Sequence, residues 1–254
     1  VETQSSGIGG GGLLVPYEAN GATISTINGR ETAPAAATPQ RFTDAEGKPL
    51  PFLQAFPGGK SVGVPGNISL MAEAHRKWGK LKWAEIFKPA IRLADKGFVV
   101  NQTLDSRLDM IQRLWPQFAT AKSIYWIDGK PAKAGMTLRN PELAKTLKLI
   151  AKKGPNAFYT GAIANSIVDS VTNSPVAPGD MTLADLAAYK AVEQNAVCAP
   201  YRVYIVCGMA PPSSGATTVL QILGSLERFD LKAMGKDDPK SWYLIGQAMQ
   251  LAYA

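Results

Sequence analysis

The sequence predicts an α+β protein with helices layered on an antiparallel sheet, and three observations carry that reading. Strand-like patterns open the chain at Leu13–Tyr17 and Ala22–Asn28 and return around Cys198 and Cys207. Amphipathic helical periodicity fills the middle of the chain and its last part. Strands and helices do not alternate as a parallel sheet would require. With 254 residues, 46% of them hydrophobic, the chain has enough apolar surface for a substantial core as one domain over 1–254. No repeat of fixed period is present, which excludes a solenoid.

The stretch Ser5–Pro34 organises the rest. Gly9 to Gly12 remove Cβ atoms where backbone must bend sharply or lie against other backbone. Ala19-Asn20-Gly21 separates the two strands with a turn that tolerates positive φ. Arg30 stands at the end of the second strand. Its guanidinium keeps its charge and grips a carboxylate with two parallel hydrogen bonds, which makes Arg30 the candidate substrate-binding residue. The plainer alternative is a surface arginine at a strand end.

From Glu31 to about Gly66 proline and glycine are frequent, and a long ordered surface loop is expected there. Helical patterns follow. Asn67–Trp78, with Ile68, Leu70, Met71 and Ala74 on one side, ends at Gly79. Lys82–Lys96 carries the stripe Trp83, Ile86, Phe87, Ala90, Ile91 and Ala94, should kink or divide at Pro89, and closes at Gly97. Leu104–Leu114 stops before Pro116. Tyr125–Asp128 with Gly129 reads as a strand and turn. Asn140–Lys153 and Ala157–Val171 are helices separated by Gly154-Pro155. Thr182 and Asp185 have capping-box spacing, with Asp where Glu or Gln is preferred. Ala191–Cys198 and Val203–Gly208 form a hairpin that sets Cys198 roughly opposite Cys207. The pair is a cross-strand disulfide if the protein is exported, or two buried thiols. Met209 to Gly215 then leads into the helix Thr217–Phe229. The run Trp242–Ala254 is still apolar-periodic where the sequence stops, and Val1 opens in mid-pattern, so both ends read as cut.

The net charge of +7 comes from scattered residues. Lys77, Lys80, Lys82 and Lys88, like Lys145, Lys148, Lys152 and Lys153, fall on or beside helices with no interleaved aromatics, so no nucleic-acid partner is expected. No apolar run approaches roughly 18 residues, so no membrane span is expected. One histidine and two cysteines cannot assemble a metal site of ordinary spacing, and no cofactor is called for. His75 reads as an exposed helical residue. Gly7, Gly9 and Gly12 fit G-x-G-x-x-G but lead into a strand, where a dinucleotide needs a helix. Gly58-Gly59-Lys60-Ser61 has Gln54 where a phosphate-binding loop needs its first glycine. Ser213 or Ser214 lacks a Ser-His-Asp set, so helix capping is expected of them rather than nucleophilic attack.

Six motifs then stand in register: Ser6–Gly12 (Ser-Gly-Ile-Gly-Gly-Gly-Gly), Gly29–Pro34 (Gly-Arg-Glu-Thr-Ala-Pro), Val62–Gly66, Asp185–Tyr189 (Asp-Leu-Ala-Ala-Tyr), Pro211–Gly215 and Ala252-Tyr253-Ala254. Together they resemble the large subunit of gamma-glutamyltranspeptidases along the whole chain. The resemblance implies an αββα sandwich of the N-terminal-nucleophile hydrolase type, incomplete in this chain. It also implies a precursor that cleaves itself, whose small subunit carries the threonine nucleophile and that threonine's α-amino group as base. An acyl-enzyme would pass to water or to an amino-acid or peptide acceptor. By the resemblance Arg30 binds the α-carboxylate of the gamma-glutamyl group, no catalytic residue lies in this chain, the small-subunit segment is the partner, and the location is periplasmic or extracellular. Ala216 departs from the family's second glycine and adds a methyl group where backbones approach. Two rival readings stay open: a cephalosporin or glutaryl acylase relative, and a non-catalytic carboxylate- or peptide-binding module.

Overall fold

The computed structural model describes Thr3, Ser5 and residues 7–113 and 117–254. Val1, Ser6 of the glycine motif, Leu114 and Pro116 lie outside the described residues. By its contacts the chain groups into two compact units: Val1–Gly12 with Arg30–Ala191, and Leu13–Gly29 with Val192–Ala254.

The first unit is mainly helical. Asn67–Trp78 forms where the pattern places it, burying Ile68 and Leu70, while Met71 stays outside. Trp83–Lys96 runs unbroken through Pro89. Pro89 sits on the exposed side of the helix, so the carbonyl that loses its donor has access to water. The buried stripe is narrower than the periodicity predicts, with Phe87 and Ala94 inside and Ile86 exposed. This helix packs on Pro141–Lys153, where the Trp83 indole N–H donates to the Ile150 carbonyl at 3.1 Å. Asn101 and Asn140 cap Gln102–Ile111 and Pro141–Lys153, their side chains accepting from Leu104 and Leu143 N–H groups.

The expected helix Ala157–Val171 is two, Asn156–Tyr159 and Gly161–Thr172. The break falls at Thr160, and Gly161 takes a φ of 70° that favours glycine. Asp128 and Gly129, both at positive φ, make the tight turn between Trp126–Ile127 and Lys130–Pro131. Thr182 and Asp185 form a full reciprocal capping box on Leu183–Ala188. The core here has two parts: one contains Ile68, Phe87, Ile150, Phe158 and Leu186, the other Val100, Leu104, Leu108, Ala132 and Leu138.

In the second unit the strand Thr23–Gly29 stands between Gly12–Leu14 and Tyr17–Glu18, and also pairs antiparallel with Val192–Asn195. Pro16, which cannot donate to a ladder, splits the expected strand Leu13–Tyr17 in two. The positive φ expected at Asn20 or Gly21 is taken by Ala22 instead. The predicted strand Ala191–Cys198 also divides. Val192–Asn195 joins the Thr23–Gly29 strand, while Val197–Tyr201 pairs with Tyr204–Gly208. In that hairpin Cys198 lies opposite Cys207, and the two are joined as a disulfide. The helices Gly215–Leu226 and Pro239–Ala252 complete the unit. The methyl group of Ala216 fits because Gly208 faces it: a Cβ built on Gly208 would come within 2.8 Å of the Ala216 Cβ.

Candidate functional site

Arg30 follows directly on the strand Thr23–Gly29 and lines a cleft of about 520 Å³. One wall is Arg30–Ala33 and the other is Ser61–Gly63. The walls are laced by a two-way bridge beside the cleft: Thr32 N–H donates to the Val64 carbonyl at 3.4 Å, and Val64 N–H returns to Thr32 at 2.8 Å. Gly63 permits this approach, since a Cβ there would stand 2.9 Å from the Glu31 Cβ.

Gly9 also lines the cleft, and its neighbour is tied to a helix start. The Gly10 carbonyl accepts from Gly66 and Asn67 N–H groups, both at 3.0 Å, at the start of the Asn67–Trp78 helix. A Cβ on Gly12 would stand 2.9 Å from Asn67 Oδ1, which ties the absence of a side chain to close packing rather than to dinucleotide binding.

The cleft carries opposite charges side by side. Arg30 Nε lies 3.5 Å from Glu31 Oε2, with the arginine side chain 58% exposed and the glutamate more covered. A cationic fork next to a carboxylate suits a zwitterionic head group, whose own carboxylate meets the arginine and whose ammonium meets the glutamate. Sequence reasoning singled out Arg30 and passed over Glu31, although their adjacency in the chain was a readable signal.

Two contacts from distant sequence hold this segment. The Tyr189 hydroxyl donates to the Arg30 carbonyl at 2.7 Å, and Asp185 Oδ1 accepts from Ala35 N–H at 2.9 Å. That hydrogen bond from Ala35, with those from Thr182, holds the Asp185 carboxyl below its ordinary range. Burial raises the Tyr189 phenol, with the Glu31 charge adding to it.

The other residues weighed from the sequence lie apart from this cleft. His75 is half-buried rather than exposed. Its Nε2 lies 2.8 Å from the Leu81 carbonyl, and its ring sits edge-on to Trp83. Ser213 accepts from Gly215 N–H at 3.2 Å, a turn-forming bond at the start of the next helix, whereas Ser214 makes no side-chain cap. The N–H groups of Gly59 and Lys60 bond to the carbonyls of Val176 and Ala177, so that loop offers a phosphate no cradle. Among the described residues no cluster of three or more His, Cys, Asp or Glu side chains could hold a metal, and no helix is long and apolar enough to cross a membrane.

The family described as Gamma-glutamyltranspeptidase matches residues 1–254. The glutathione hydrolase proenzyme of Bacillus subtilis (strain 168) is 37% identical over 253 residues, covering 100% of this chain and 42% of the relative. That of Escherichia coli (strain K12) is 37% identical, covering 99% of this chain and 43% of its own. This chain therefore spans about two fifths of the length of these curated relatives. Among solved structures, the gamma-glutamyltranspeptidase of Helicobacter pylori superposes with a TM-score of 0.94 at 32% identity, covering 100% of this chain and 71% of that one. The cephalosporin acylase from Bacillus halodurans gives 0.86 at 26% identity, with 99% and 46% covered. The mixed helix and sheet architecture is thus that of N-terminal-nucleophile hydrolases.

Proposed function

The chain belongs to the gamma-glutamyltranspeptidase family, and from that premise we propose that it is the large-subunit region of an enzyme that cleaves gamma-glutamyl amides such as glutathione. The observation that carries this reading is the pairing of Arg30 with Glu31 in one cleft, 3.5 Å apart. Arg30 takes the α-carboxylate of the donor bidentately, and Glu31 accepts from its α-ammonium. The head group is thereby fixed while the gamma-carbonyl extends toward machinery carried by the rest of the precursor. There a threonine hydroxyl, released at a new N-terminus, attacks the gamma-carbonyl as its own α-amino group takes the proton. The amine leaves with a proton, and water or an acceptor amine then resolves the ester.

The relatives' greater length supports a small-subunit segment of the same precursor as partner. The apolar side chains exposed on the second unit, Tyr243 and Leu251 among them, fit an interface that this partner covers. The disulfide Cys198–Cys207 supports a periplasmic or extracellular location, where such bonds persist.

The test uses the full-length gene product. Two bands on a denaturing gel, with hydrolysis of gamma-glutamyl-p-nitroanilide well above that of glutaryl-p-nitroanilide, are expected, because only the first has an ammonium for Glu31. The reverse preference would assign the protein to the acylase side of the fold. A single uncleaved band without turnover would make it a binding module.

A further inference from the structure

We propose that Leu183–Ala188 and the tyrosine after it form a clamp that aims Arg30, with Tyr189 as the positioning residue; this rests on the reading of the Arg30 cleft given above. The segment from Arg30 to Ala35 is held at both ends from this one short stretch. Tyr189 donates to the Arg30 carbonyl at 2.7 Å, and Asp185 accepts from Ala35 N–H at 2.9 Å. Asp185 is itself fixed, its other oxygen accepting from the Thr182 N–H and hydroxyl, each at 2.7 Å.

Tyr189 is anchored from behind. Its ring lies parallel to that of Tyr159, with centroids 5.8 Å apart and planes within 6°. Tyr159 is buried, donates to the Pro65 carbonyl at 3.0 Å and accepts from Ser69 N–H at 3.0 Å. Two residues on from Tyr189, Ala191 N–H donates to the Ser69 hydroxyl at 2.8 Å. One tyrosine therefore holds the strip bearing Arg30, and its stacking partner holds the strip that continues the opposite wall. The Arg30 peptide fixes where its long side chain starts, and the Glu31 carboxylate 3.5 Å from Nε restrains where the guanidinium ends. A bidentate grip on a carboxylate tolerates only small errors of position and angle.

The experiment compares the matured full-length enzyme with Tyr189→Phe, which keeps the stacked ring and removes the hydroxyl. The probes are L-gamma-glutamyl-p-nitroanilide and 4-aminobutyryl-p-nitroanilide, identical but for the α-carboxylate. Tyr189→Phe is expected to lower kcat/KM for the first probe by about five- to tenfold. The loss appears in KM, with kcat changed less than about twofold, and the second probe is unaffected. In an Arg30→Ala background the same substitution has no further effect, because the two act as one unit. Equal losses on both probes, or losses that multiply with Arg30→Ala, would reduce Tyr189 to a general prop and overturn the clamp. Should Tyr189→Phe fail to mature, Asp185→Asn decides by the same pair of probes, and a loss that does not select the carboxylate-bearing probe overturns it. If Arg30→Ala itself leaves the first probe untouched, the reading of the cleft falls. If Arg30→Ala acts and Tyr189→Phe does not, only the clamp falls.

Discussion

The unit that holds the Arg30 cleft and the unit built around the Val197–Gly208 hairpin gather their buried apolar side chains differently. Among the described residues, both contiguous clusters of buried hydrophobic side chains lie in the first unit, centred on Phe158 and Ile150 and on Leu104 and Leu108. The second unit buries Ile27, Met209, Ala216, Leu226 and Ala248, yet leaves Trp242, Tyr243, Leu251 and Tyr253 between 63% and 73% exposed. It exposes Val203, Tyr204 and Ile205 on its hairpin as well. The first unit exposes large apolar side chains too, Phe52, Leu53, Leu81, Val99 and Met110 among them, so the contrast lies in the buried clusters. On the proposed function, the side chains exposed on the hairpin unit are the ones the small-subunit segment would cover.

The largest effect expected from this contrast is in the first unit. Phe158→Ala should cost ~3–5 kcal/mol of stability, because Phe158 is 1% exposed and its neighbours cannot close the void. Tyr243→Ala in the second unit should change the stability of this chain alone by less than ~0.5 kcal/mol. On the proposed maturation into two subunits, the same change should weaken subunit association measurably, as loss of an aromatic interface residue does. Chemical denaturation and dilution-dependent gel filtration would read these out. A Tyr243→Ala protein that assembles as tightly as the parent would break the comparison.

The disulfide sharpens it further. Among the described residues neither buried apolar cluster lies in the second unit, so a covalent tie matters more there, and Cys198–Cys207 closes a loop with a sequence separation of 9. Replacing both cysteines by serine should lower stability by roughly 2–3 kcal/mol. Hydrogen exchange should place the loosening in Val192–Ala254 and leave the helices of the first unit protected.

Arg30→Lys tests the purpose of the first unit rather than its stability. The charge persists but the planar fork is lost, so on the proposed function the transition-state binding read from kcat/KM for a gamma-glutamyl donor should weaken by on the order of 1.5–3 kcal/mol. The melting temperature should not move, since the side chain is more than half exposed. An unchanged KM and kcat/KM would remove Arg30 from the site.

Much of this was legible along the chain, and what was not has a common cause. The helix Asn67–Trp78 and its Gly79 stop match the pattern because local periodicity and termination agree there. Pro16 split a strand for a reason visible in the sequence, its missing donor. The division of Ala191–Cys198 was not visible, because its halves serve different neighbours, Thr23–Gly29 and Tyr204–Gly208. Arg30 was singled out from side-chain chemistry, and it lines the cleft with Ser61–Gly63. Asp185 and Tyr189 stood out only as a helix cap and a family motif; their bonds to the Arg30–Ala35 segment, across 150 and 159 residues of sequence, left no local trace.

The smallest effect concerns acid, and it too separates the units. Among the described residues, the carboxyl groups displaced below their ordinary range, those of Glu73, Asp105, Asp180 and Asp185, all lie in the first unit. Asp180 is held down chiefly by its hydrogen bonds from the Arg41 guanidinium, at 2.8 and 2.7 Å. A carboxyl whose folded pKa is depressed contributes stability that is fully present above its unfolded value. That contribution is lost as pH falls through the folded value. With 45% of the Asp180 side chain exposed, solvent screening limits this pair to less than ~1 kcal/mol. The difference in stability between the parent and Asp180→Asn should therefore hold steady above about pH 5 and shrink as pH drops below about 4. Hydrogen exchange across the same range should show acid loosening the first unit ahead of the second. If the hairpin unit opened first, the idea that covering, rather than charge, governs its stability would fail.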